Sequence, residues 1–157
     1  MPKTSSRDAA IERMAEVMRE FMARAVLFQD AVARHGGINS TDMQAVSLLM
    51  SEGPATPGEL AERTGLTAGG AITTVVDRLE KAGYVTRERD ATDRRKVIVT
   101  ANVDTVLAKV GPIYGRVGQR WADYLATLSD EQIEFANELF SRAAEVNRDE
   151  IELLRGE

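Results

Sequence analysis

Residues 56–99 read TPGELAERTGLTAGGAITTVVDRLEKAGYVTRERDATDRRKVIV, and the order of short elements in this stretch decides the fold. Thr56 can cap a helix, Pro57 suits the first helical position and Glu59 completes a capping box, so a two-turn helix is predicted over about 57–63. Thr64-Gly65-Leu66 then turns the chain. Thr67 is the expected cap of AGGAITTVVDRLEKA, where Ile72, Val75, Val76 and Leu79 share one face and Gly83 supplies the stop. Two helices joined by a three-residue glycine turn make a helix-turn-helix. After Gly83, YVTRER and KVIVTA are rich in β-branched residues and tyrosine, and the polar DATDRR separates them, which predicts a β-hairpin. A helix-turn-helix followed at once by such a hairpin is a winged helix.

The hairpin is basic in a chain that is not. The formal net charge is −5, yet residues 67–100 carry seven Lys or Arg against five Asp or Glu, and the first ten residues of RERDATDRRKVIVT hold five of those cations. A net acidic protein can still bind a polyanion when its cations converge on one face, because salt screens charges beyond a Debye length of ~8 Å. The wing is where they converge.

Long helices frame this core. Beginning near Ser5 or Ser6, Ile11, Met14, Met18, Phe21, Ala25, Phe28 and Val32 recur at alternating three- and four-residue steps, and Gly36-Gly37 ends the run. An ordinary core-facing helix would show that pattern too. The additional Val17, Met22, Val26 and Leu27 widen the stripe and favour contact with a second chain. A short helix over about 41–51 ends at the turn SEGPAT. Beyond the hairpin, apolar residues keep helical spacing from about Asn102 to Leu128, with Gly111-Pro112 predicting a kink rather than a break. Ser129 and Gln132 form a second capping box for a helix that runs to about Leu154.

Composition narrows the function classes. A chain of 157 residues with 43% hydrophobic content suits a single domain. No window approaches the roughly 18 apolar residues of a membrane span, and MPKTSSRDAAIER lacks the apolar core of a signal peptide, so a cytoplasmic protein without a membrane partner is expected. With no cysteine and one histidine, no metal, cofactor or thiol switch is expected. No nucleophile motif or acid–base pair emerges, and TGLTAGG lacks the Gly-Lys-Ser/Thr of a phosphate-binding loop, so the chain is not expected to be an enzyme.

Residues 56–102 resemble the DNA-binding core of the multiple-antibiotic-resistance regulator (MarR) family, matching in order its helix, turn, recognition helix, Asp-Arg-Leu-Glu, Gly-aromatic-Val and Asp-x-Arg wing. Asp93 and Arg95 fall on the last pair. After the wing the family's Leu-Thr-x-x-Gly is here Ala101-Asn102-Val103-Asp104-Thr105, in which Asn102 caps as well as threonine and the glycine has no counterpart. The resemblance implies a mainly α (α+β) chain, one domain over 1–157, with a winged helix-turn-helix core at 38–102 and dimerisation helices at 5–35 and 103–155. It further implies a homodimer on double-stranded DNA, regulating transcription as a repressor of a pseudo-palindromic operator. Its effectors are small aromatic or amphipathic molecules held between dimerisation helices and DNA-binding lobe, where Trp121, Tyr114, Tyr124 and His35 are candidates.

The expected DNA contacts are Thr56, then Thr67, Ala68, Gly70, Thr73, Thr74 and Arg78 on or before the recognition helix, and Arg87, Arg94, Arg95 and Lys96 on the wing. Threonine can donate or accept, and its methyl can touch thymine. Arg78 and Lys81 lie late in the helix, where phosphate contact or an ion pair with Asp77 or Glu80 is expected instead of base reading. Gly69-Gly70 weakens the helix start by roughly 1 kcal/mol per glycine, consistent with close backbone approach to DNA or with a frayed first turn. Arg94 or Arg95 is the candidate for the narrow minor groove, and the family's wing assigns Asp93 to bracing the loop. A self-paired, solvated hairpin tip is the plainer alternative, and a winged helix that binds protein instead of DNA is the alternative function.

Overall fold

The computed structural model describes residues 6–67 and 69–156. The elements run α1 (Ser6–His35), α2 (Ser40–Glu52), α3 (Pro57–Thr64), α4 (Gly70–Lys81), β1 (Val85–Arg89), β2 (Val97–Ala101), α5 (Val103–Leu125) and α6 (Asp130–Arg155). They fall into two compact units whose boundary lies inside α5, between Ile113 and Tyr114.

The first unit holds the core, built from the apolar faces that periodicity marks. Val32 and Ala33 of α1, Met43, Val46 and Leu49 of α2, Leu60 of α3, and Ile72, Val75, Val76 and Leu79 of α4 are buried together with Tyr84, Val85, Val99 and Val110. At about 1.5–3 kcal/mol per buried large aliphatic side chain, the four α4 residues alone supply on the order of 6–12 kcal/mol of gross stabilisation. β1 and β2 pair antiparallel with Val85 opposite Ala101 and Arg89 opposite Val97. Ala55 adds a bridge to Val99 through bonds of 3.1 and 2.8 Å, tying the entry to α3 onto the hairpin.

Local signals explain most helix ends. Thr56 and Glu59 close the predicted capping box, with Thr56 N donating to Glu59 Oε2 at 2.7 Å and Glu59 N to Thr56 Oγ1 at 3.2 Å. Donation to that carboxylate, from the Thr56 amide first and from the Thr56 hydroxyl to Oε2 second, lowers the Glu59 carboxyl below its ordinary value. Gly65 N donates to Glu62 O and Leu66 N to Ala61 O, which completes the turn between α3 and α4. Asn102 Oδ1 accepts from Thr105 N at 3.2 Å, so asparagine caps α5 as expected.

Two expectations need correction. Thr67 does not cap the recognition helix: α4 starts at Gly70, with Gly69 in the cap position at φ 110 and no side-chain bond to the first turn. Thr67 stands three residues before the first helical one, too early to reach the free N–H groups. Only glycine adopts that φ without strain, so the backbone turns into the helix by itself. The apolar run to Leu128 also overstates α5, which ends at Leu125 and closes through Thr127 N to Tyr124 O and Leu128 N to Leu125 O. α5 passes Pro112 without a break.

The second unit comprises the remainder of α5 and α6. Ser129 and Gln132 form the predicted capping box at the head of α6. Tyr114, Trp121, Tyr124 and Leu125 of α5 and Phe135, Phe140, Val146 and Ile151 of α6 are all exposed. No helix among the described residues is long and apolar enough to cross a membrane.

Candidate nucleic-acid interface

The outer face of α4 is small and uncharged for its first turns. Gly70, Ala71, Thr73 and Thr74 are exposed opposite the buried Ile72, Val75 and Val76. Both threonines turn back on their own helix, Thr73 Oγ1 donating to Gly69 O at 2.9 Å and Thr74 Oγ1 to Gly70 O at 2.7 Å. Thr67 is exposed beside them, and Ala68 lies outside the described residues. Thr56 caps α3, its hydroxyl donating to Glu59 Oε2 at 2.9 Å.

Arg78 is not paired with Asp77 or Glu80. Its Nε and Nη2 donate to Asp42 of α2 at 3.0 and 2.5 Å, and those bonds raise the guanidinium pKa against the opposing effect of burial. Asp42 sits in the first turn of α2 with 1% of its surface exposed, so it needs a cation, and α4 brings Arg78 to it across the core. Asp77 and Glu80 serve the wing instead. Arg87 of β1 pairs with Asp77 through Nη2, and its Nε lies 3.6 Å from Glu80 Oε2, an ion-pair separation and not a hydrogen bond. The C-terminal half of α4 is therefore fastened to α2 on one side and to β1 on the other. Lys81 carries no ion pair among the described residues.

The wing tip is organised by two aspartates. Asp90 Oδ1 accepts from the Thr92 hydroxyl at 2.6 Å, Thr92 N at 2.7 Å and Asp93 N at 2.8 Å, an Asx turn that holds its carboxyl down at about 2. The Thr92 hydroxyl is the largest cause. Asp93 Oδ1 accepts from Arg95 N at 3.1 Å and Arg95 Nε at 3.2 Å. Arg95 remains 93% exposed in its side chain despite that contact. Arg94 and Lys96 are exposed as well, while Arg89 Nη1 ties the tip by donating to Arg94 O at 2.9 Å. Arg94, Arg95 and Lys96 thus gather at one end of the hairpin, whereas Arg78 and Arg87 are engaged in internal pairs.

The roles of Asp42 and Asp90 and the pairing of Arg87 with Asp77 escaped sequence reasoning. Asp42 lies 36 residues from Arg78, and Arg87 reaches Asp77 only across the turn after α4, so neither pair leaves a local signal. Asp90 did leave one, an aspartate two and three residues ahead of the N–H groups it accepts.

Of the aromatic candidates for effector contact, Trp121 and Tyr124 line one concavity of about 370 Å³ together with Val117 and Arg120. Their rings meet edge to face at 6.1 Å. Tyr114 and His35 are not part of that lining. In the first unit, a larger concavity of about 590 Å³ opens between α1 and α2, lined in part by Val26, Leu27, Ser40 and Gln44.

A two-helix reader with a three-cation wing defines a winged-helix protein of the transcription-regulator class. A family model described as MarR family matches residues 31–96. The Bacillus subtilis (strain 168) protein YcgE, described as an uncharacterized HTH-type transcriptional regulator, is 32% identical over 155 residues, covering 99% of each chain. The chain belongs to the MarR family of transcriptional regulators. That membership agrees with the expectation that the chain is not an enzyme. Among solved structures, Streptococcus pneumoniae FabT in complex with DNA matches at a TM-score of 0.66 and 19% identity, covering 88% of this chain and 98% of that one. The YusO protein of Bacillus subtilis matches at 0.64 and 19%, covering 90% and 99%. At such identities these two structures speak for the fold alone.

Proposed function

We propose that the chain acts as a homodimeric repressor that binds a pseudo-palindromic operator and is released by a small aromatic or amphipathic effector. The observation that carries the DNA part is the exposed Arg94, Arg95 and Lys96 cluster on a chain that also exposes an uncharged α4 face. Residues 38–102 form the DNA-binding core in this reading, with Thr67, Gly70, Thr73 and Thr74 in the major groove and the wing over the minor groove. FabT is a relative in fold whose solved complex contains DNA, which supports the same use of the fold here.

Dimerisation through residues 5–35 and 103–155 is supported by the faces left open along them. Ile11, Met14, Phe21 and Leu27 of α1 are exposed, and so are Phe135, Phe140 and Ile151 of α6. A single chain leaves these apolar side chains in water, and a second copy would cover them. The Trp121–Tyr124 concavity supports an aromatic effector.

Light scattering and footprinting test the proposal together. A dimeric mass and half-sites about one helical turn apart, ~10 base pairs, are expected. For six to ten neutralised phosphates, log affinity should fall with log salt at a slope of roughly −5 to −9. A monomer, or binding with a flat salt response, refutes it, the second result favouring a protein-interaction module.

A further inference from the structure

We propose, resting on the DNA-binding reading above, that α4 selects its operator through thymine methyls and base amino groups and does not read guanine. In the major groove guanine presents N7 and O6, two acceptors, which call for a side-chain donor such as Arg or Lys. The exposed face of the first turns of α4 offers none: Gly70 and Ala71 carry no polar group, and the hydroxyl protons of Thr73 and Thr74 are already donated to Gly69 O and Gly70 O.

With its proton held by the helix, a threonine hydroxyl presents only lone pairs outward. Lone pairs accept from the N4 amino group of cytosine or the N6 amino group of adenine. The Cγ2 methyl is then the other group free to meet a partner, and it suits the C5 methyl of thymine. Turning a hydroxyl outward to donate would break its 2.9 or 2.7 Å bond.

The cations that could have read guanine are held elsewhere. Arg78 is fixed to Asp42 by two hydrogen bonds. Lys81 lies seven residues beyond Thr74, about 11 Å further along the axis at 1.5 Å per residue. The open N–H groups at the uncapped start of α4 point along the helix axis, toward backbone phosphates, which set register and not sequence. Among the described residues of the turn before the helix, Thr67 is the one further exposed hydroxyl, and a single hydroxyl cannot make the two-pronged guanine contact.

The test uses the full-length protein and a duplex selected from a randomised library. Two substituted forms of that duplex are then compared with it, one with deoxyuridine for every thymidine and one with 7-deazaguanine for every guanine. Loss of the thymine methyl should weaken binding roughly fourfold per contact, about sixteenfold for two half-sites, from the transfer free energy of one buried carbon. Loss of guanine N7 should leave affinity within about twofold. Thr74→Ser, which keeps the hydroxyl and removes the methyl, should shrink the thymidine-to-deoxyuridine difference, and Thr74→Val should keep it. A selected duplex whose binding collapses with 7-deazaguanine and ignores deoxyuridine overturns this inference while leaving DNA binding intact. Failure to recover any duplex overturns both.

Discussion

Replacing Arg78 by alanine separates a structural cation from a DNA-contacting one. The Asp42 side chain is 2% exposed and that of Arg78 44%, and two hydrogen bonds join them. Truncating one partner of a fully buried pair costs about 3–5 kcal/mol, because the other charge is stranded. A fully exposed pair is worth about 0–1 kcal/mol. Arg78→Ala strands the buried member, so the expected loss is about 2–3 kcal/mol. Asp42→Ala strands the member that can turn to water, and should cost less, about 1–2 kcal/mol. Exposure alone would rank them the other way, since the more exposed residue is usually the cheaper to remove. Urea unfolding at one fixed protein concentration measures both variants, and the double variant should show coupling of about 1–2 kcal/mol. The salt slope of DNA binding should be unchanged in Arg78→Ala. Stability within about 0.5 kcal/mol of the parent, together with a slope shallower by roughly one unit per subunit, would refute the reasoning and make Arg78 a phosphate contact.

At the wing, Arg95→Ala should weaken operator binding by about 1–3 kcal/mol and leave unfolding nearly unchanged, and an unaltered affinity would remove Arg95 from the interface. Asp93→Ala brings opposite expectations into contest: tighter binding from the lost negative charge, or weaker binding because a loosened Arg95 must be ordered on DNA. The two bonds from Arg95 to Asp93 favour weaker binding, and a tighter complex on titration would rule the brace out. A Cβ at Gly36 would run into the Tyr84 hydroxyl, which donates to Gly36 O at 2.8 Å, so Gly36→Ala should cost about 1–3 kcal/mol. Adding Tyr84→Phe removes that oxygen and should recover part of the loss; a cost indifferent to Tyr84 would contradict the packing. Asp90 is held at about 2, below its ordinary 3.8, so its ionised form supports the wing turn above about pH 3.8 and the support fades as pH falls through about 2. Amide exchange at Thr92 and Asp93 should stay slow down to about pH 4, and loss of protection near neutral pH would count against the turn.

Local chemistry made much of the architecture legible. The Thr56–Glu59 and Ser129–Gln132 boxes, the Gly65 turn and the Asn102 cap each lie within a few residues of the helix end they create, and the Gly83 stop with the β-branched composition beyond it separated α4 from the hairpin. The start of α4 was misplaced because the sequence offers a good cap, Thr67, while the backbone uses the freedom of Gly69. At the candidate interface the exposed positions were readable and their bonding partners were not. Thr73 and Thr74 could be placed outward from spacing, but where their protons go depends on rotamers. The partnership of Arg78 with Asp42 is a product of folding two helices together, and no window of sequence contains it.

The internal pairing of Arg78 and Arg87 with carboxylates bears on how such a regulator would partition inside a cell. Affinity for arbitrary DNA comes almost wholly from counterions released by cations that meet phosphate. A genome offers roughly 10⁶–10⁹ competing sites, so a strongly cationic reader is mostly sequestered on irrelevant sequence. Here the chain carries −5 overall, and part of its arginine complement is already neutralised at home. Bulk chromosomal DNA should therefore hold this protein weakly. A small number of copies would then suffice to fill one specific site, and the copies not on it would remain off the chromosome.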